Sequence, residues 1–357
     1  MSSPYIPLFE LVRGGSLESL HFGAAAIVNA QWQLVARLGD PYSSAYLRSS
    51  AKPLQALPFV EHGGPKRFDL TSAELSIICA SHSGTDKHVA TIQSIQTKIS
   101  VSEADLLCGI HPCDHMPTFE AMLRRDEEPS PNRNNCSGKH SGMLAYARLQ
   151  GWPIADYINP AHPVQQSIVQ TFSEMCGLPA EQIIIGVDGC SVPAFAVPLY
   201  NAALAYARLR DPTALPANRA AACRAISSAM MAHPEMVGGP NSFDTLMMKA
   251  TSGKILSKGG AEGYQAAGVM PGALGRGSPG LGIVLKISDG DLGVHTRTAS
   301  GAGGRVRPAV MLEILRQLGV LVPKELTDLA ELGPIFAVRN HRRIVTGEGR
   351  PCFELAS

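Results

Sequence analysis

Apolar and polar positions divide the chain into strand-like ends and a helical middle. Residues 7–13 form an apolar run, and two more runs, 20–28 and 32–38, flank Asn29-Ala30-Gln31 in the pattern of a hairpin. At residue 71 the period changes. Thr71-Ser72-Ala73-Glu74 has the form of a capping box, which predicts a helix through Leu75, Ile77 and Ile78 that stops at Ser81-His82-Ser83-Gly84. Thr85 caps a second helix through Val89, Ile92 and Ile95. Short helices at 102–107 and 117–125 enclose a loop carrying His111, Cys113 and His115. A loop rich in Pro, Asn and Ser, 129–138, leads into a helix at 139–149, and further helices are predicted at 162–176, 193–208 and 219–232. Between the first two of these, 183–187 reads as a buried strand ending in Asp188-Gly189-Cys190. Strand character returns at 254–256, 264–269 and 282–287, with Ser288-Asp289-Gly290-Asp291 as a turn. Gly301-Ala302-Gly303-Gly304 then precedes a helix at 306–318 and a last strand pair, 335–338 and 344–346.

Strands at both ends and helices between them predict an α/β (α+β) fold. One antiparallel sheet is built from about 1–47 and 252–357, with a helical lobe of about 48–251 inserted, all within a single catalytic domain. A cleft between sheet and helices is the natural seat of chemistry. Composition narrows the partners. The 357 residues carry a formal net charge of +1 with no long basic run, which argues against nucleic acid or an anionic membrane. No apolar stretch reaches the roughly 18 residues of a membrane helix, and Met1 to Pro7 lacks the pattern of a signal peptide. These features predict a soluble, cytoplasmic protein whose eight cysteines are reduced.

Candidate chemistry centres on Arg48-Ser49-Ser50-Ala51-Lys52-Pro53. Ser49 and Lys52 lie three positions apart, one turn along a helix face. Serine becomes a nucleophile when a neighbouring base takes its proton. Lysine can be that base once burial or a nearby cation such as Arg48 lowers its pKa. The ordinary reading of Ser-x-x-Lys is a helix cap followed by a solvated lysine. Pro53 favours the first helical turn yet disfavours helical geometry at Lys52, so it predicts a constrained helix start. Two further segments, each ordinary alone, follow: the hydroxyl-bearing turn Ser81-His82-Ser83-Gly84 and the strand-side run Ser257-Lys258-Gly259-Gly260-Ala261-Glu262-Gly263. Their order matches S-x-x-K, S-x-N and K-T-G of serine β-lactamases and penicillin-binding proteins, with His82-Ser83 and Gly259 as departures. Gly138-Lys139 is no P-loop, since Arg133 and His140 stand at its defining positions. Gly275 to Gly280 fits a dinucleotide pattern only outside the required strand-to-helix setting.

With Asn135-Cys136-Ser137-Gly138-Lys139-His140-Ser141-Gly142 and Gly186-Val187-Asp188-Gly189-Cys190, these motifs resemble the rhizobial-type L-asparaginase family over nearly the whole chain. The resemblance implies a serine-β-lactamase-like or glutaminase-like fold, a homodimer, and hydrolysis of L-asparagine to aspartate and ammonia. It implies two Ser–Lys pairs, here Ser49 with Lys52 and Ser81 with Lys258, and zinc held by Cys136, Lys139 and Cys190. His140 is an alternative ligand or a substrate contact. Charge matching assigns Arg48 to the substrate carboxylate and Asp188 to its α-ammonium. His111, Cys113 and His115 form a second candidate metal cluster, or a polar loop. The alternatives are another Ser–Lys amidohydrolase, a glutaminase or D-amino-acid amidase, and a non-catalytic amino-acid or zinc sensor on the same scaffold.

Overall fold

The computed structural model describes residues 3–291 and 304–356. Its larger sheet is built from both ends of the chain, as the pattern of strands predicts. The strands are β1 (Ile6–Arg13), β2 (Ser16–Asn29), β3 (Leu34–Leu38), β4 (Ser44–Tyr46), β5 (Ile184–Val187), β6 (Pro193–Pro198), β7 (Ile255–Gly260), β8 (Tyr264–Val269), β9 (Leu281–Ile287), β10 (Phe336–Arg339) and β11 (Val345–Pro351). The larger sheet runs β10-β11-β1-β2-β9-β8-β7, with β3 also on β2, and its strand pairs are antiparallel. A small second sheet runs β4-β6-β5.

Side chains on a strand alternate between faces, and both faces of the larger sheet are covered. On β2, Ala24, Ala26 and Val28 join one core cluster, while Ala25 and Ile27 join another. Helix Leu199–Arg210 packs in the first and helix Val306–Gln317 in the second. Burial on both sides explains why these strands read as nearly continuous apolar runs rather than alternating ones.

The capping box at Thr71 with Glu74 forms and Thr85 caps its helix, reciprocated by His88, so helices Ser72–Ile78 and Asp86–Ile99 start where the sequence predicts. The run 102–107 holds only a short 3-10 turn, Glu103–Asp105. The helix expected at 193–208 is instead strand β6 followed by helix Leu199–Arg210. Pro193 and Pro198 bracket the strand, and pairing with β4 and β5 on its two sides outweighs the helical propensity of its alanines. Strand β5 forms at the predicted place but is an exposed edge, with Ile184, Ile185 and Val187 at the surface. The glycine run 301–304 lies outside the described residues except for Gly304, which is followed by helix Val306–Gln317. Among the described residues no helix is long and apolar enough to cross a membrane.

Close approach of helix Leu199–Arg210 to β9 depends on Gly282, where an added Cβ would run into the Ala203 carbonyl oxygen. Gly282→Ala is therefore expected to cost about 1–3 kcal/mol, read as a lower urea midpoint; an unchanged midpoint contradicts this packing.

Candidate active site

The Ser-x-x-Lys segment leaves β4 as a 3-10 turn, Arg48–Ala51, and continues directly into helix Lys52–Gln55. Lys52 is helical despite the proline after it, with φ −57° and ψ −41°. The strain falls instead on Arg48, at φ 50°, a left-handed conformation uncommon for a side-chain-bearing residue. Helix Ser72–Ile78 ends just before Ser81, whose N–H is tied to the Val237 carbonyl at 2.9 Å. The two serines meet there, Ser81 Oγ donating to Ser49 Oγ at 3.3 Å.

Strand β7 brings Lys258 to the same place. It is longer than expected and includes both glycines, Gly259 and Gly260. A Cβ at Gly260 would collide with the Leu47 carbonyl, so only glycine lets this strand close on the Ser-x-x-Lys turn. Ser50 Oγ locks the contact by donating to the Lys258 carbonyl at 2.7 Å. Lys52 and Lys258 are each only 1% exposed. Neither amine bonds a serine among the described residues. Lys52 Nζ donates to the Asn135 carbonyl at 3.2 Å, and Lys258 Nζ to the Gly259 carbonyl at 2.7 Å.

Electrostatics follow from this burial. Loss of hydration pushes the Lys258 amine down to about 8; Lys52 and Arg307 add to the shift, while the Asp244 carboxylate opposes it. Burial also keeps His140 neutral, helped by the charges of Lys139 and Lys52. His140 Nδ1 pairs with the Tyr157 hydroxyl at 2.6 Å, and its Nε2 is buried without a partner among the described residues. Arg48 and Asp188 engage each other, Nε to Oδ1 at 2.8 Å. This sets one cation and one anion side by side on partly exposed side chains.

Cys136, Lys139 and Cys190 converge from the start of helix Ser137–Gln150 and the turn after β5. Lys139 Nζ lies 2.8 Å from Cys190 Sγ. A hydrogen bond from Cys190, aided by Lys52 and Lys139, outweighs burial and holds the Cys136 thiol well below its ordinary pKa. Burial works against the Lys139 charge, but the two sulfurs and Asp188 outweigh it and raise its pKa. Two sulfurs and one nitrogen in one buried spot fit the N/S preference of zinc, provided Lys139 gives up its proton. No group of three His, Cys, Asp or Glu is placed to hold a metal among the described residues.

The His111–Cys113–His115 loop therefore forms no metal cluster and braces the site instead. His111 Nε2 accepts the Asn135 N–H at 2.9 Å, and Cys113 Sγ lies 3.1 Å from the Ser83 carbonyl. Three other supports carry no signal in the sequence. Arg133 donates to the Gly84 carbonyl at 2.7 Å. His82 pairs with Ser137 at 2.9 Å. Asp244 sits against Lys258, and an acid in a helix's first turn reads from sequence only as a partner for the helix dipole.

Two half-buried serines in contact and two buried lysines, drawn from three segments of the chain, go with a Ser/Lys-type amidohydrolase. The chain belongs to the L-asparaginase II family, whose model matches residues 9–351. No curated protein matches the sequence significantly. Among solved structures, a probable glutaminase from Bacillus subtilis aligns at 11% identity and TM-score 0.39, covering 84% of this chain and 88% of that one. A Bacillus glutaminase determined in 4.3 M NaCl aligns at 10% identity and TM-score 0.39, covering 84% and 91%. Likenesses this distant say nothing about substrate.

A proton-accepting lysine works only when uncharged. With Lys258 in that role, kcat/KM for amide hydrolysis is expected to rise about tenfold per pH unit up to a midpoint near 8 and then level off. A flat profile from about pH 6 to about pH 9 removes Lys258 from the role.

Proposed function

We propose that this protein hydrolyses the side-chain amide of L-asparagine to L-aspartate and ammonia. The observation that carries the reading is the contact between the Ser49 and Ser81 hydroxyls at 3.3 Å, with Lys52 one helical turn after Ser49 and buried, and the buried Lys258 on the strand whose carbonyl Ser50 holds. One serine attacks the amide carbon as a neutral lysine takes its proton. The C–N bond breaks, the nitrogen leaves as ammonia with a proton returned to it, and an ester remains on the serine. Water then cleaves the ester, releasing aspartate and restoring the hydroxyl. The Arg48–Asp188 pair supports an amino-acid substrate, because adjacent opposite charges complement a carboxylate and an α-ammonium. Ser49→Ala and Ser81→Ala, assayed separately for ammonia release from asparagine and from glutamine, are each expected to lose at least about a hundredfold in kcat. Near-normal turnover in both variants rules out the serine mechanism, and faster turnover of glutamine reassigns the substrate.

The proposal extends to zinc on Cys136, Lys139 and Cys190 and to a homodimer. Zinc, when bound, supplies a Lewis acid or an ordering charge beside the pocket. The exposed apolar edge strand β5, paired only with β6 among the described residues, supports self-association. All eight cysteines are free, which supports a reducing, cytoplasmic setting. Native mass spectrometry reads both the metal and the oligomer. Zinc-bound dimers are expected for the wild type, metal-free protein for Cys190→Ser, and monomers for Val187→Lys. Metal-free monomeric wild-type protein defeats both extensions.

A further inference from the structure

We propose that Asp244 is a positioning residue for Lys258: its carboxylate grips strand β7 on both sides of that lysine and faces the amine, fixing where the amine stands. This rests on the reading that Lys258 belongs to the amide-hydrolysing site. Asp244 lies in the first turn of helix Phe243–Ala250, which Ser242 caps. One carboxylate oxygen, Oδ1, accepts from Ser257 Oγ at 2.7 Å and from Gln265 Nε2 at 2.9 Å. The other, Oδ2, accepts the Gly259 N–H at 2.7 Å and stands 3.8 Å from Lys258 Nζ. Ser257 and Gly259 are the residues immediately before and after the lysine. β7 is the last strand of its sheet, and on an edge strand an N–H facing away from the neighbouring strand needs a partner from elsewhere. The carboxylate supplies that partner at Gly259. The Lys258 amine in turn donates to the carbonyl of Gly259, the same residue whose N–H the carboxylate holds.

The side chains of this cluster are buried. Asp244 is 6% exposed, Lys258 1%, and Ser257 and Gln265 0%. A buried carboxylate with three hydrogen bonds cannot swing, so it is a fixed reference for the amine. Asp244, Lys52, Arg307 and Cys136 act on Lys258, and the buried Cys79 thiol is coupled to it as well. Asp244 is the carboxylate among them. Lys52 meets no carboxylate among the described residues, so the two Ser–Lys pairs are not equivalent.

Ammonia release from asparagine, followed against substrate concentration and pH, tests this with Asp244→Asn, Asp244→Glu, Lys258→Ala and Asp244→Asn/Lys258→Ala. Asp244→Asn is expected to lower kcat roughly a hundredfold with KM little changed. It should also move the acidic limb of the profile to lower pH, because the carboxylate that favours the ammonium is gone. Asp244→Glu should recover part of the rate. The double variant should be no slower than Lys258→Ala alone. Wild-type kcat and pH profile in Asp244→Asn overturn the inference, as does an equal loss from Asp244→Asn in both backgrounds. Full activity in Lys258→Ala instead overturns the proposed role of Lys258, and the inference with it. Should Asp244→Asn fail to fold, thermal unfolding of Asp244→Asn/Lys258→Met decides. Recovery of Tm supports a matched charge pair, and continued failure to fold marks Asp244 as a scaffold residue only.

Discussion

Two lysine amines enclosed in one interior set the terms for everything around them. An ammonium taken out of water costs several kcal/mol unless partners replace its hydration. The protein meets this cost differently at the two positions. Lys52 faces the Asn135 carbonyl at 3.2 Å, whereas Lys258 faces a carbonyl and, at 3.8 Å, a carboxylate. Negative charge on the Cys136 sulfur and on Asp188 answers the third buried amine, Lys139. Loss of hydration, reinforced by the neighbouring cations Lys52 and Arg307, pushes Lys258 toward its neutral form.

This crowding is possible only because the chain closes on itself. The turn at Arg48–Ala51 comes from the first part of the sequence and β7 from the last third. Their contact depends on a glycine without a side chain and on one hydroxyl bonded to one carbonyl. Around them the loops are pinned rather than loose. Arg133 holds Gly84, His82 holds Ser137, and His111 holds the amide of Asn135. The serines at the centre are placed by backbone that many weak supports fix together.

Much of this fold was readable from local chemistry. Capping boxes at Thr71 and Thr85 mark real helix starts, because a side chain three residues from its partner closes the bond without help from elsewhere. Strand β6 was not readable. Its alanines favour helix in isolation, and pairing on both edges decides otherwise. The exposure of β5 was hidden for a similar reason: an isoleucine-rich run looks the same in a core and on an unpaired edge. Asp244 was invisible because its meaning lies in Ser257, Gly259 and Gln265, residues 13 to 21 positions away.

By itself the sequence determined which groups are available: hydroxyls, amines, thiols, and the turns and caps that sit beside them. It also determined those helix starts and strands that periodicity and capping fix over a few residues. Tertiary structure alone decided that the two serine hydroxyls meet, which charge is offset and which strand is left at the surface. The reason is physical. Desolvation and ion pairing depend on distance in space, and segments hundreds of residues apart come within a few ångströms only after the two ends share a sheet.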